Sequence, residues 1–563
     1  MNFINQMQVI LDIDEYEEEF TSLLKNFTVA TTFNDQNECF NLLNRHRIFY
    51  MASENEAKIN YFIDTSNEDF HKQHTYFQDI EPRWLSMTGE YYRSILKAKF
   101  RDQLEAKWGK QLFKIAELRQ STYSDEVAED IQLESRLVSE YQQLLGKAVV
   151  NFQGSKLSLS TLTPHLASPD SEVRKEAFEA KTAFYMKNSA DFDRILDELV
   201  KTRNRIAVTL GYPSFVRLGY DRMHKTGHTP EDLIQYRKQV REHGVPFISG
   251  LKMKQQNRIG VSKLKYYDER YSFPSGAPMP KGSPQEVLEV YQSIFHELSS
   301  ETGDFFEDLL EKQNVEVESR ANKMGGAFAL YTGSEISPFI FANFNGTSND
   351  VRVLAHEAGH AFQFYMSRHS NIHEYILPYD SAEVFSFAME RFVWPWMEQF
   401  FKEDTLKYQF SHLTEAFIYM PFVSVVDEFE HFLYEFPAAT IQERKQKWRE
   451  LECQYMPERD YDGNEFLEQG TGFYEIGHLY MWPFYYMDYD LAHFAAVQLW
   501  SKQLEDSKSA WKSFLIMCKQ GGRLPFHELL KSAGLNSPFE ENSVKTLLDK
   551  VQLWIDQIDD SSF

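Results

Sequence analysis

Cysteine is scarce in this chain: three residues, Cys39, Cys453 and Cys518, among 563. They stand far apart and lack metal-ligand spacing, which argues against a disulfide framework and against a cysteine-built metal site. Positive charge is also in short supply. Lys and Arg number 59 against 84 Asp and Glu, a net charge of −25 with no basic patch or arm, so no nucleic-acid partner is expected. No uninterrupted apolar run reaches membrane-spanning length. The N-terminus is acidic and lacks the charged segment and apolar core of a secretion signal. Neither a low-complexity linker nor a repeat of solenoid period is present, and the Gly pairs match no dinucleotide or P-loop pattern. The expectation from these absences is a soluble, cytoplasmic protein with no membrane partner. At this length it buries a large core and divides into two lobes.

What is present is mostly amphipathic helix. Residues 70–147 are rich in Glu, Lys, Arg, Leu and Ala, broken only at Pro82, and predict several long helices. Val149 to Leu159, turning at Gly154-Ser155, predicts a hairpin closing this region. Ser168-Pro169, Thr229-Pro230 and Ser283-Pro284 each place a capping hydroxyl before a first-turn proline and predict helix starts. Residues 271–284, with four prolines and two glycines, read as a surface loop. Met456 to Asn464 is a second polar loop, read as a mobile rim.

The chemistry concentrates at His356-Glu357-Ala358-Gly359-His360. On a helix, residues i and i+4 share a face, so both imidazoles can reach one metal ion. Glu357 lies beside that face, placed to take a proton from a water held there. A surface helix with two solvated histidines is the competing reading. Against it, Val351, Leu354, Ala358, Ala361, Phe362 and Tyr365 make an apolar stripe at helical spacing. Asn345-Gly346 signals a turn, and Thr347 to Asp350 a helix cap. Ala358 and Gly359 are small and let another element approach.

A zinc hydrolase takes three protein ligands and leaves a fourth position for water. Gln363 and Met366 occupy the positions where a long-motif metalloprotease carries Gly and His, which excludes that class. The acids that follow are Glu374, Asp380, Glu383, Glu390 and Glu398. Two of them, Glu383 and Glu390, interrupt the apolar helix Ser381 to Phe392 on one side, two turns apart. A buried carboxylate is costly unless it is paired or ligates a metal. Glu383 is therefore taken as the third ligand, and Glu390 as the acid that holds a ligand imidazole; pairing of Glu390 with a nearby Arg is the alternative.

Downstream, His478 precedes Pro483, which suits a first helical turn and so leaves His478 on the loop before it. Tyr485 and Tyr489 share a helix face, with Tyr486 turned partly aside. These donors can converge on the oxygen that turns negative when a peptide carbonyl is attacked, although aromatic clusters in a chain with 15% aromatics are usually core. Upstream, Met324 to Tyr331 and Pro338 to Phe344 flank Thr332 to Glu335 as a hairpin. Gly325, Gly326, Ala327 and Phe328 are read as substrate-binding: an edge strand there pairs with an extended peptide through main-chain hydrogen bonds. A hairpin that only braces the metal helix fits equally well.

With Glu383 following His360 by 23 residues in the run Ser-Ala-Glu-Val-Phe-Ser-x-x-x-Glu, the chain resembles the oligoendopeptidase F group of the thimet-oligopeptidase-like zinc metallopeptidases. Lys323 to Phe328, Pro338 to Phe344, Arg203 to Ile206, Gly219 to Met223, Gly477 to Tyr480 and Phe484 to Tyr489 share in the likeness. It covers roughly residues 165–560; the first 160 match in length and helical character alone. The resemblance implies a mainly α-helical fold of two lobes around a deep substrate channel, with a small β-sheet at the cleft edge. It divides the chain into an N-terminal helical region, 1–165, and a catalytic zinc-peptidase domain, 166–563. It implies one Zn2+ on His356, His360 and Glu383, Glu357 as base, His478, Tyr485 and Tyr489 as oxyanion donors, and short peptides as substrates. The expected activity is endopeptidase; a zinc carboxypeptidase or other exopeptidase, or a non-catalytic peptide-binding protein, are the alternatives.

Overall fold

A computed structural model describes residues 11–563. Residues 1–10, where the sequence was read for a secretion signal and where the 1–165 region begins, lie outside the described residues. The fold is mainly helical, with a two-stranded and a three-stranded sheet among the described residues. No helix there is long and apolar enough to cross a membrane.

Helices Ile13–Val29, Phe33–Ile63 and Glu68–Leu96 open the chain, their first turns capped by the side chains of Asp12, Thr32 and Asn67. The expected break at Pro82 does not occur. Pro82 sits on the exposed side of a continuous helix, where one missing N–H is tolerable because Phe77, Ile80, Trp84 and Met87 anchor the buried side. These helices share a core around Phe40, Tyr50, Trp84 and Tyr91. A second, much larger core gathers buried residues from Val127 to Ile555, so two helical lobes each have their own interior.

The predicted hairpin forms between Val150–Phe152 and Ser155–Leu157, turning through Gln153 and Gly154 at positive φ. Thr229 and Ser283 cap their helices reciprocally with Asp232 and Glu286. Ser168-Pro169 does not start a helix. Asp170 takes the cap and the helix runs from Ser171 to Lys187, because a carboxylate nearer the first turn accepts the Glu172 N–H at 2.9 Å.

Beyond residue 300 come the elements that position the site. Strands β1 (Val315–Glu318), β2 (Phe328–Thr332) and β3 (Ser337–Phe344) form a sheet of order β1-β3-β2. β3 is central, parallel to β1 and antiparallel to β2, with Ala329 opposite Ile340. β2 is thus an edge strand. It starts at Phe328 rather than at Met324. The buried Lys323 ammonium donates to the carbonyls of Glu318 (2.7 Å) and Ala342 (2.6 Å), and the Asn343 amide donates to those of Met324 and Gly326, both at 2.9 Å. Those carbonyls are held off the ladder, and Gly326 turns left-handed (φ 99°). Gly325 and Gly326 therefore precede the strand, and the space a Cβ would take on either is open.

Helix α1 (Ser348–Ser367) lies on β3; α2 (Ala382–Phe392) packs between α1 and the later α5 (Tyr486–Glu505). Between them run the long α3 (Thr405–Glu435) and the short α4 (Gly477–Met481).

Candidate active site

α1 is set by its ends and its buried stripe. Thr347 occupies the cap position without a side-chain cap bond, and Asp350 in the first turn ties down the turn before it, accepting from the N–H groups of Asn345 (3.0 Å) and Gly346 (2.6 Å). Val351, Leu354, Ala355, Ala358, Ala361 and Phe362 are buried on the inner face. Gly359 is where α2 crosses. A Cβ on it would come within 2.4 Å of the Phe385 carbonyl oxygen, so only glycine permits this approach. The crossing carries Glu383 over both histidines.

Glu383 Oε2 lies 3.3 Å from His356 Nε2 and 3.6 Å from His360 Nε2, and one ligand atom from each of the three residues falls within 4.8 Å of the others. Donors around a tetrahedral cation at ~2.0–2.1 Å stand about 3.3–3.4 Å apart, so this group can hold a metal. Ser386 Oγ is 2.9 Å from Glu383 Oε2 and steadies it. Glu390 Oε1 lies 2.6 Å from His356 Nδ1, leaving Nε2 to face Glu383. Burial lowers the His356 imidazolium, but its hydrogen bonds to Glu383 and Glu390 prevail and raise it well above its ordinary value. The pocket is thus built to favour positive charge at these nitrogens. Glu357 is buried by its residue exposure of 6% yet borders a cavity of about 420 Å³ with His356, Phe387, Tyr419 and His493. Burial raises its carboxyl, and the like charge of Glu383 adds to this, against the histidines.

His478 is half-buried on α4, not on a loop. Pro483 is not in the first turn of a helix either: it lies in the turn between α4 and α5. The chain reverses at Phe484 (φ 69°), whose N–H is tied to the buried Glu430 carboxylate at 3.0 Å, so α5 begins only at Tyr486. The buried Arg203 guanidinium donates to the carbonyls of Leu479 (3.1 Å) and Tyr480 (2.5 Å) and so fixes α4. The His478 ring lies parallel to that of Tyr485 at 6.1 Å, with Tyr489 edge-on at 5.9 Å. Tyr486, only 6% exposed, packs against Tyr419 and Phe422, and its ring is the nearest of the three to that of His478, at 4.8 Å. Burial lowers the His478 imidazole to about 4, keeping it neutral at pH 7. Burial, reinforced by the Glu383 charge, raises both tyrosine hydroxyls, that of Tyr489 to about 12. Both therefore keep their protons.

Residues 165–548 match Peptidase family M3, and residues 6–123 match the Peptidase M3 N-terminal domain. The chain belongs to peptidase family M3. The solved structure of PZ peptidase A with inhibitor 2 shares its fold with a TM-score of 0.91, at 43% identity over 100% of both chains. The oligoendopeptidase F homolog of Borreliella burgdorferi is 23% identical over 513 residues, 84% of this chain and 83% of that protein. Oligopeptidase PepF of Bacillus subtilis is 24% identical over 383 residues, 66% of this chain; the match spans only 55% of that relative's length. The resemblance to the oligoendopeptidase F group is borne out by these names.

Within this M3 chain the structure gathers His356, His360, Glu383, Glu357 and Glu390 around one point, and it sets His478, Tyr485 and Tyr489 against one another. Gly325 to Phe328 stand apart, at the start of the sheet edge. Arg391, the alternative partner for Glu390, comes no nearer than 3.9 Å. Sequence reasoning missed His412 on α3, whose Nε2 is 2.5 Å from Glu390 Oε2, and Trp394, whose indole N–H donates to His412 Nδ1 at 3.0 Å. No local spacing links either residue to the motif, and α3 carries two buried histidines, His412 and His431, with nothing in the sequence to single out the first.

Proposed function

We propose that this chain is a zinc-dependent, cytoplasmic endopeptidase that hydrolyses internal bonds of short oligopeptides. One observation carries the reading: two imidazoles and a carboxylate spaced for a tetrahedral cation, with a buried, unpaired carboxylate, Glu357, beside them. His356, His360 and Glu383 would hold the zinc, which when bound polarises the scissile carbonyl and lowers the pKa of a water toward ~7. Glu357, raised by burial, accepts a proton from the attacking water as the C–O bond forms. It returns that proton to the amine as the C–N bond breaks. The neutral His478 and the protonated Tyr485 and Tyr489 donate to the oxygen that becomes negative. Main-chain groups from Gly325 to Phe328, at the start of the edge strand, bind the extended peptide whatever its side chains. In this reading residues 166–563 form the catalytic domain, and 1–165 a helical region that narrows access to it. The three free thiols suit a reducing compartment.

A mixed peptide library that includes peptides blocked at both ends, digested with and without a chelator, tests the proposal. Internal cleavage of blocked peptides that stops on chelation and returns with zinc supports it. Cleavage confined to free ends would make the protein an exopeptidase, and no cleavage at all would leave a peptide-binding protein.

A further inference from the structure

We infer that His412 and Trp394 are positioning residues for the metal site, holding Glu390 where it takes His356 Nδ1 and leaves Nε2 free to ligate. The inference rests on the reading of His356 as a ligand. It starts from a side chain that has no choice. An indole N–H donates and never accepts. Trp394 Nε1 is 3.0 Å from His412 Nδ1, and both residues are only 5% exposed. His412 Nδ1 must therefore be the bare, accepting nitrogen, and its proton sits on Nε2.

From there the contacts run on through Glu390, whose ionised carboxylate accepts at both oxygens and is held in place by His412. His412 Nε2–H donates to Glu390 Oε2 at 2.5 Å. The other oxygen, Oε1, is left as acceptor for His356 Nδ1 at 2.6 Å. With Nδ1–H given to Glu390, His356 presents Nε2 to the Glu383 side, the nitrogen left for a metal. The opposite tautomer of His412 would aim an N–H at the Trp394 N–H and a lone pair at a carboxylate, two repulsions at once. Burial agrees, lowering the His412 imidazolium to about 4 and so keeping the ring neutral. The four groups come from α1, α2, the turn Trp394–Trp396 and α3. The chain of donors thus ties three helices to the orientation of a single imidazole.

The tautomer is measurable directly, in metal-free protein labelled with 15N-histidine. The parent should show His412 as the Nε2–H form, and Trp394→Phe should convert it to a mixture. In the same proteins, zinc affinity measured by chelator competition should fall ~10–100-fold in His412→Leu and by a smaller factor in Trp394→Phe. A filler role would change unfolding temperature without moving either readout. The inference is overturned if parent His412 carries its proton on Nδ1 or is doubly protonated, or if folded His412→Leu binds zinc as tightly as the parent. Should His412→Leu not fold, Trp394→Phe and the parent tautomer decide. A parent that binds no zinc would instead refute the ligand reading, and the tautomer would still be read in the same sample.

Discussion

Gly359 on α1 and Phe385 on α2 meet main chain to main chain: a Cβ at Gly359 would lie 2.4 Å from the Phe385 carbonyl oxygen. Gly359 directly precedes His360, and Phe385 follows Glu383 by two residues. This contact therefore sets the distance between the acid and the two imidazoles.

Gly359→Ala should push the helices apart, because the opposing atoms are backbone and cannot rotate away. The cost in stability is about 1–3 kcal/mol, seen by denaturant unfolding of metal-free protein. Zinc affinity by chelator competition should fall with it. A variant as stable and as tight as the parent would show that the crossing does not set the site.

Glu357→Gln keeps the shape of the side chain and removes its ability to carry a proton. Metal content should stay at the parent level while kcat falls ~10²–10⁴-fold. Retained turnover would remove Glu357 from the role of base. Glu383→Ala should do the reverse, losing metal as measured by elemental analysis of dialysed protein.

The three tyrosines should separate cleanly. Tyr485→Phe and Tyr489→Phe each delete a donor beside His478 and should lower kcat by up to ~10²–10³-fold, with smaller changes in KM. Tyr486, the most buried of the three although its ring also stands 4.8 Å from that of His478, should tolerate Phe with activity near the parent's. Steady-state kinetics on one internally cleaved peptide decides the matter. A large loss in Tyr486→Phe alone would invert the assignment.

Asp490 offers a test of stability against pH. Burial raises its carboxyl to about 7, opposed by the hydrogen bond from Tyr236 at 2.8 Å. The folded state therefore binds this proton more tightly than the unfolded chain, and the stabilisation is complete below about pH 4 and lost as pH rises through about 7. Asp490→Asn has no such loss. Its unfolding free energy minus the parent's should climb between pH 4 and 8, and a flat difference would show that Asp490 titrates normally.

How much of this was legible in the sequence follows the range of the forces involved. Helix caps at Thr229 and Ser283 and the shared face of His356 and His360 depend on residues three or four apart, and they appear as expected. Expectations failed where a distant group intervened. Lys323 and Asn343 delayed the start of β2, and Glu430 turned the chain at Phe484, so His478 lies on a short helix instead of a loop. Both corrections involve buried polar groups that had to be satisfied by whatever packing brought near.

The sequence by itself determined that one helix would carry two imidazoles and an acid, with two more acids on a following apolar helix, because helical periodicity is a local property. Only the tertiary structure decided which oxygen of Glu390 meets His356, that His412 and Trp394 stand behind it, and that Tyr485, Tyr486 and Tyr489 all gather around His478. Those choices depend on how helices cross and what they bury. A crossing is set by contacts such as Gly359 against Phe385, between residues whose separation along the chain carries no signal.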